Sequence, residues 1–130
     1  IHYVGIMVAP VGNWLKQARR DLEAADVNFK ARQFYVCVFL CQQASEKGLK
    51  SVILKKTKEL IKTHDLKFLA KKAGAPIDLQ MKASFLTPYF VESRYPDFEE
   101  GIPADAFNKI EAKETLKQTR AILDWVEKNV

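Results

Sequence analysis

The chain has 130 residues, enough for one domain with its own core and too few for two of ordinary size. Apolar residues make up 48% and charged residues 28%, with five Gly and five Pro, so the composition is that of a soluble globular protein with little material for disordered linkers. The net charge is +5, and no stretch approaches the roughly 20 apolar residues of a membrane span, which excludes an intramembrane role.

Residues 1–12 are mildly apolar and lack a basic leader, so they are expected to be an N-terminal extension and not a signal peptide. Asn13 is expected to cap a first helix, in which Leu15, Ala18, Leu22, Ala25 and Phe29 recur at three-four spacing with Lys16, Arg19, Arg20 and Glu23 opposite. A second helix is expected from about Arg32 to about Lys56. It opens on eight consecutive bulky apolar residues, Phe34 to Cys41, and passes without a Gly or Pro break into Gln42-Gln43-Ala44-Ser45-Glu46-Lys47-Gly48-Leu49-Lys50. A helix apolar all round must be covered all round, either at the centre of a bundle or by a second copy of the chain. Cys37 and Cys41, four apart in that run, read as small buried hydrophobes, which points to a reducing cytoplasm.

Between Lys55 and Lys72 seven lysines stand against Glu59 and Asp65, so this segment carries the whole positive excess of the chain. It would form a basic patch able to attract phosphates or an acidic partner, or a solvated connection. Thr63 is expected to cap a short third helix with Asp65 in its first turn and Leu66, Leu69 and Ala73 inward, ended by Gly74 and Pro76. Ile77, Met81, Phe85 and Tyr89 then recur every four residues and suggest a fourth helix, kinked or ended by Pro88. After an irregular acidic stretch containing Glu99 and Glu100, Asp105 is expected to cap the last helix, with Ala112, Leu116, Thr119, Leu123 and Val126 inward and Trp125 on the flank. No hairpin signal appears. The expected fold is all-α: an up-and-down antiparallel bundle of four to five helices forming one domain.

The sequence has no glycine-rich phosphate loop, no nucleophile elbow and, with only His2 and His64, no histidine metal cluster, so no metal or cofactor is expected. Three polar features remain. Gln43, Glu46, Lys47 and Lys50 stand at i, i+3, i+4 and i+7 and share one helix face. In Arg94-Tyr95-Pro96-Asp97 the proline ends the preceding helix and leaves a guanidinium beside an aromatic ring, a good phosphate and base contact. Thr63-His64-Asp65 offers an imidazole that needs a second group within hydrogen-bond reach to move a proton.

The order of these features, together with Trp14-Leu15 and Asp21-Leu22-Glu23-Ala24-Ala25 in the first helix, resembles the HEPN family, small helical domains named for higher eukaryote and prokaryote nucleotide binding. The resemblance covers nearly the whole chain. It implies a homodimer, often paired with a minimal nucleotidyltransferase as toxin and antitoxin, and in many members a metal-independent ribonuclease. The family's ribonuclease signature is an Arg followed after four to six residues by a His. Here none of Arg19, Arg20, Arg32, Arg94 or Arg120 is followed by a His at that distance, and Leu40 and Cys41 stand where many relatives have a His. Three readings follow. The leading one is a domain that binds a nucleotide, an RNA or a nucleotidyltransferase partner through Gln43, Glu46, Lys47, Lys50, Arg94 and Tyr95. A second is a ribonuclease in which Arg94 and His64 act together, and a third is a dimeric interaction module without a ligand.

Overall fold

The computed structural model describes residues 2–4, 10–96 and 101–130. Three long helices form its frame: α1 (Val11–Lys30), α2 (Phe34–Thr57) and α7 (Lys109–Asn129). Between α2 and α7 lie α3 (Leu66–Lys72), α4 (Ile77–Leu86) and the four-residue helices α5 (Tyr89–Glu92) and α6 (Pro103–Ala106). The three-residue link after α1 returns the chain along it, and Arg19 meets Glu127 while Asp26 meets Arg120, so α1 runs antiparallel to both α2 and α7. The expected all-α, up-and-down bundle is the architecture found. No described helix is long and apolar enough to cross a membrane.

Helix α2 is central because its first half is apolar on every side and the bundle covers its second half as well. Cys37, Val38, Cys41, Ala44, Leu49 and Val52 are fully buried, and both cysteines are free thiols in the core. Each fully buried Leu or Val stabilises the fold by roughly 1.5–3 kcal/mol. The serines of this helix are also buried, and the helix satisfies them itself: Ser45 Oγ donates to the Cys41 carbonyl and Ser51 Oγ to that of Gly48. Gly48 sets the approach of α7, since a Cβ there would stand 2.6 Å from Leu123 Cδ2. The inner stripes expected for α1 and α7 pack as the periodicity requires. Ala18, Ala25, Ala112, Leu116, Thr119, Leu123 and Val126 are all buried.

Several local expectations are corrected. Helix α1 is entered from Pro10, ahead of the expected cap, so Asn13 lies inside its first turn and caps nothing. The cap of α3 is Asp65, whose carboxylate accepts from the Phe68 amide, while Thr63 Oγ1 accepts from the Asp65 amide one step earlier. The cap of α7 is Asn108, in a reciprocal capping box with Glu111, and Asp105 belongs to α6. Within residues 1–12, His2–Val4 (β1) pairs antiparallel with Glu59–Ile61 (β2), His2 opposite Ile61. These three-residue runs are too short to leave an alternating pattern in the sequence.

Helix α4 bears apolar residues on two sides. Its inner face is Leu79, Ala83 and Leu86, whereas Ile77 is 69%, Met81 68% and Phe85 41% exposed. A strict four-residue recurrence drifts by about 40° per step around a helix of 3.6 residues per turn, while the i, i+4, i+7 set stays on one line. The helix has two apolar stripes, and the straighter one is buried. Gly74, at φ +83°, makes the turn that sets this phase, and Pro88 ends the helix as expected.

Candidate functional site

Along α2, Gln42, Glu46 and Lys50 stand at i, i+4 and i+8 on one face, and the packing of the bundle covers all three. A carboxylate in that setting is stable only when paired and fully hydrogen-bonded. Glu46 is both. Its Oε2 accepts from Lys50 Nζ at 2.9 Å, and its Oε1 faces Gln42 Nε2 at 3.2 Å and His64 Nδ1 at 2.8 Å. Gln43 Nε2 donates in turn to Gln42 Oε1 at 2.7 Å. Because a carboxylate can only accept, the hydrogen of the neutral imidazole resides on Nδ1, which leaves Nε2 free to accept a proton.

The imidazole is half exposed, in the connection between β2 and α3, and its other support is a ring. His64 stacks on Phe90 of α5, with centroids 3.7 Å apart and planes 14° from parallel. Arg94, in the turn that follows α5, sets its guanidinium carbon 4.5 Å from the same ring and 5.5 Å from Phe39 of α2. Its Nη2 reaches Tyr95 Oη at 3.0 Å. Phe90 therefore contacts both an imidazole and a guanidinium that are 30 positions apart in the chain. A buried carboxylate orients the imidazole from behind, and the exposed guanidinium faces water. Together they can hold an anionic oxygen pair at Arg94 and exchange a proton at His64 Nε2.

Of the residues singled out from the sequence, Gln43, Glu46, Lys50, His64, Arg94 and Tyr95 share this region. Lys47 does not join them. Its Nζ pairs at 2.6 Å with Asp21, an acid of α1 that is itself buried and also accepts from Gln17, so Lys47 belongs to the α1–α2 contact. Asp21 was readable in advance, since it stands three after Ala18 and four before Ala25 on the apolar stripe. Phe90 and Phe39 escaped sequence reasoning, and the only trace was that Phe90 precedes Arg94 by one helical turn. Asp97 of the same motif, with Glu99 and Glu100, lies outside the described residues. The lysines from Lys55 to Lys72 are all exposed and flank His64 in sequence. Lys56 among them is tied to the fold, its Nζ donating to the Ala73 carbonyl at 2.6 Å.

Comparison with known proteins adds a family to this geometry. The family model described as HEPN domain matches residues 11–129. The crystal structure of TT1696 from Thermus thermophilus is similar at 30% identity and a TM-score of 0.86, covering 92% of this chain and 98% of that one. The crystal structure of ST0689, an archaeal HEPN homologue, is similar at 32% identity and a TM-score of 0.82, covering 93% and 98%. No curated protein matches the chain.

Proposed function

Since the chain belongs to the HEPN family, we propose that it acts as a single cytoplasmic HEPN unit that binds a nucleotide or RNA phosphate at the Glu46–His64–Arg94 cluster, as the partner of a minimal nucleotidyltransferase in a toxin–antitoxin pair. The observation that supports this reading is the Phe90 ring, which contacts both the Arg94 guanidinium and a His64 imidazole held by the Glu46 carboxylate. Arg94 takes two phosphate oxygens, the exposed rings of Tyr95 and His64 offer stacking, and Lys50 pairs with Glu46 beneath His64. The lysine-rich segment beside His64 adds long-range attraction for phosphate.

A homodimer fits the same geometry. Tyr35, Val36, Phe39 and Leu40 at the start of α2 are only partly buried, and Phe39 touches Arg94, so a second copy covering that face would bring two such clusters together. In a fluorescence titration with a labelled single-stranded RNA, Arg94→Ala is expected to weaken binding about 10- to 100-fold, the loss of a charged hydrogen-bond pair. The melting temperature should hardly move, because Arg94 is exposed. A large fall in stability with unaltered binding would reassign Arg94 to the fold.

The 2.8 Å contact between His64 Nδ1 and Glu46 favours a second reading, a metal-independent endoribonuclease in which His64 replaces the histidine absent from the family signature. His64 Nε2 would take the proton of a ribose 2′-hydroxyl as that oxygen bonds to phosphorus and the P–O5′ bond breaks, leaving a 2′,3′-cyclic phosphate and a 5′-oxygen that takes its proton from water, with Arg94 stabilising the charge on the phosphoryl oxygens. Cleavage of RNA by the purified protein would then be lost in both His64→Ala and Arg94→Ala. Purified protein that cleaves no RNA at any pH ends this version and leaves the binding reading standing.

A further inference from the structure

The outward stripe of α4 has no role in the site just described. Ile77, Met81 and Phe85 lie along it, and three large apolar side chains in a row on water are a surface that another molecule normally covers. Met81 is its ridge. On one side a hollow of about 470 Å³ opens between α3 and α4, edged by Lys67 and Lys71. On the other a hollow of about 340 Å³ opens toward α7, edged by Glu114 and Gln118. The two edges differ in charge. Helix α3 carries three lysines and no acid within its span, while the α7 edge presents a carboxylate.

We propose that this stripe is a docking surface for an amphipathic helix of another protein, apolar on the face laid against Met81 and acidic along the edge that meets Lys67 and Lys71. Ridge spacing supports a helical occupant, because Ile77, Met81 and Phe85 rise about 6 Å per step, the separation of i and i+4 side chains on the helix that would lie across them. Charge selects its chemistry. A second copy laid antiparallel on this face would set Lys67 and Lys71 against their own counterparts, and a nucleic acid would have no use for the apolar ridge between the charges. The proposal does not depend on the nucleotide reading, since its ridge lies outside that cluster and Lys67 and Lys71 enter that reading only as long-range charge.

The test uses the whole chain and two synthetic helical peptides of about 18 residues. Both carry Leu at one face, and one has Glu and the other Lys along the edge. By fluorescence anisotropy the Glu-edged peptide is expected to bind saturably and the Lys-edged one at least about tenfold more weakly. Met81→Glu should abolish binding, and the pair Lys67→Glu with Lys71→Glu should reverse the preference between the peptides. All three side chains are exposed, so circular dichroism should report an unchanged fold; Ile77→Ser gives a second variant on the ridge. Hydrogen exchange should slow over residues 67–85 in the complex. Equal binding of the two peptides, or binding of neither, overturns the proposal. So does sedimentation showing that Met81→Glu dissociates a homodimer, or an RNA that protects Lys67 and Lys71 and ignores Met81→Glu.

Discussion

Replacing Glu46 by Ala tests how the buried centre is held. The carboxylate is 8% exposed and its ion-pair partner Lys50 equally so, which means that removing the acid leaves an ammonium with no counter-charge and little water. Breaking a buried pair from one side costs about 3–5 kcal/mol. The His64 bond adds little, because a half-exposed imidazole can turn to solvent, but Gln42 loses the acceptor of its amide in a fully buried position. For a chain of this size a loss of that order corresponds to a fall in melting temperature of roughly 10–20 °C. Glu46→Ala with Lys50→Met should recover most of it, since the stranded charge is gone and the volume kept. Guanidinium denaturation of the two single variants and the double variant gives the coupling energy directly. A loss below about 1 kcal/mol in Glu46→Ala, or a double variant weaker than the single one, would refute the reasoning by requiring that Lys50 reaches water.

Three further outcomes are expected. In an open helix Gly→Ala stabilises by about 1 kcal/mol, but at Gly48 the new methyl meets Leu123, itself buried, and overpacking of about 1–3 kcal/mol should win, so denaturation should show Gly48→Ala less stable than the wild type. Tyr89 has its phenol pushed above the ordinary 10.0, first by burial and then by Glu111 and Glu92. The stability it contributes is complete below pH 10.0 and is lost as the pH rises toward the higher folded value, so the alkaline decline should flatten in Tyr89→Phe. Cys37 and Cys41 are both fully buried, and burial pushes the Cys41 thiol well up while Cys41 as a hydrogen-bond partner lowers Cys37. Iodoacetamide should leave both intact in the folded protein and label both in denaturant; Cys41 reacting ahead of Cys37 without denaturant would contradict the packing.

The bundle was legible because α1, α2 and α7 are long enough for a 3.6-residue period to show, and because a run such as Phe34 to Cys41 has only one place to go in a small molecule. Much of the site was legible too, since Glu46 and Lys50 are one turn apart. What the sequence could not supply was anything that depends on which of two possible surfaces is covered. Helix α4 has apolar residues on two sides, and only the positions of α3 and α7 decide between Leu79 and Met81. The same holds for Lys47 and Lys50: both extend from the second half of α2, yet one finds Asp21 and the other Glu46. Phe90 and His64 are brought together by the turns at Gly74 and Pro88, which no local pattern connects. The caps were misplaced by less than a turn, because Thr63 and Asp65, or Asp105 and Asn108, are equally good cap residues until the first helical amide is known.

One lysine of the basic segment reaches back into the fold. The ammonium at the end of the central helix grips the last carbonyl before Gly74, at the negative pole of α3, and so braces the hinge from which α4 departs. Acylation of that one amine would remove the brace while the remaining positive charge stayed in place. The turn that presents the oily ridge to a visitor thus owes one of its contacts to a nitrogen rooted in a different helix.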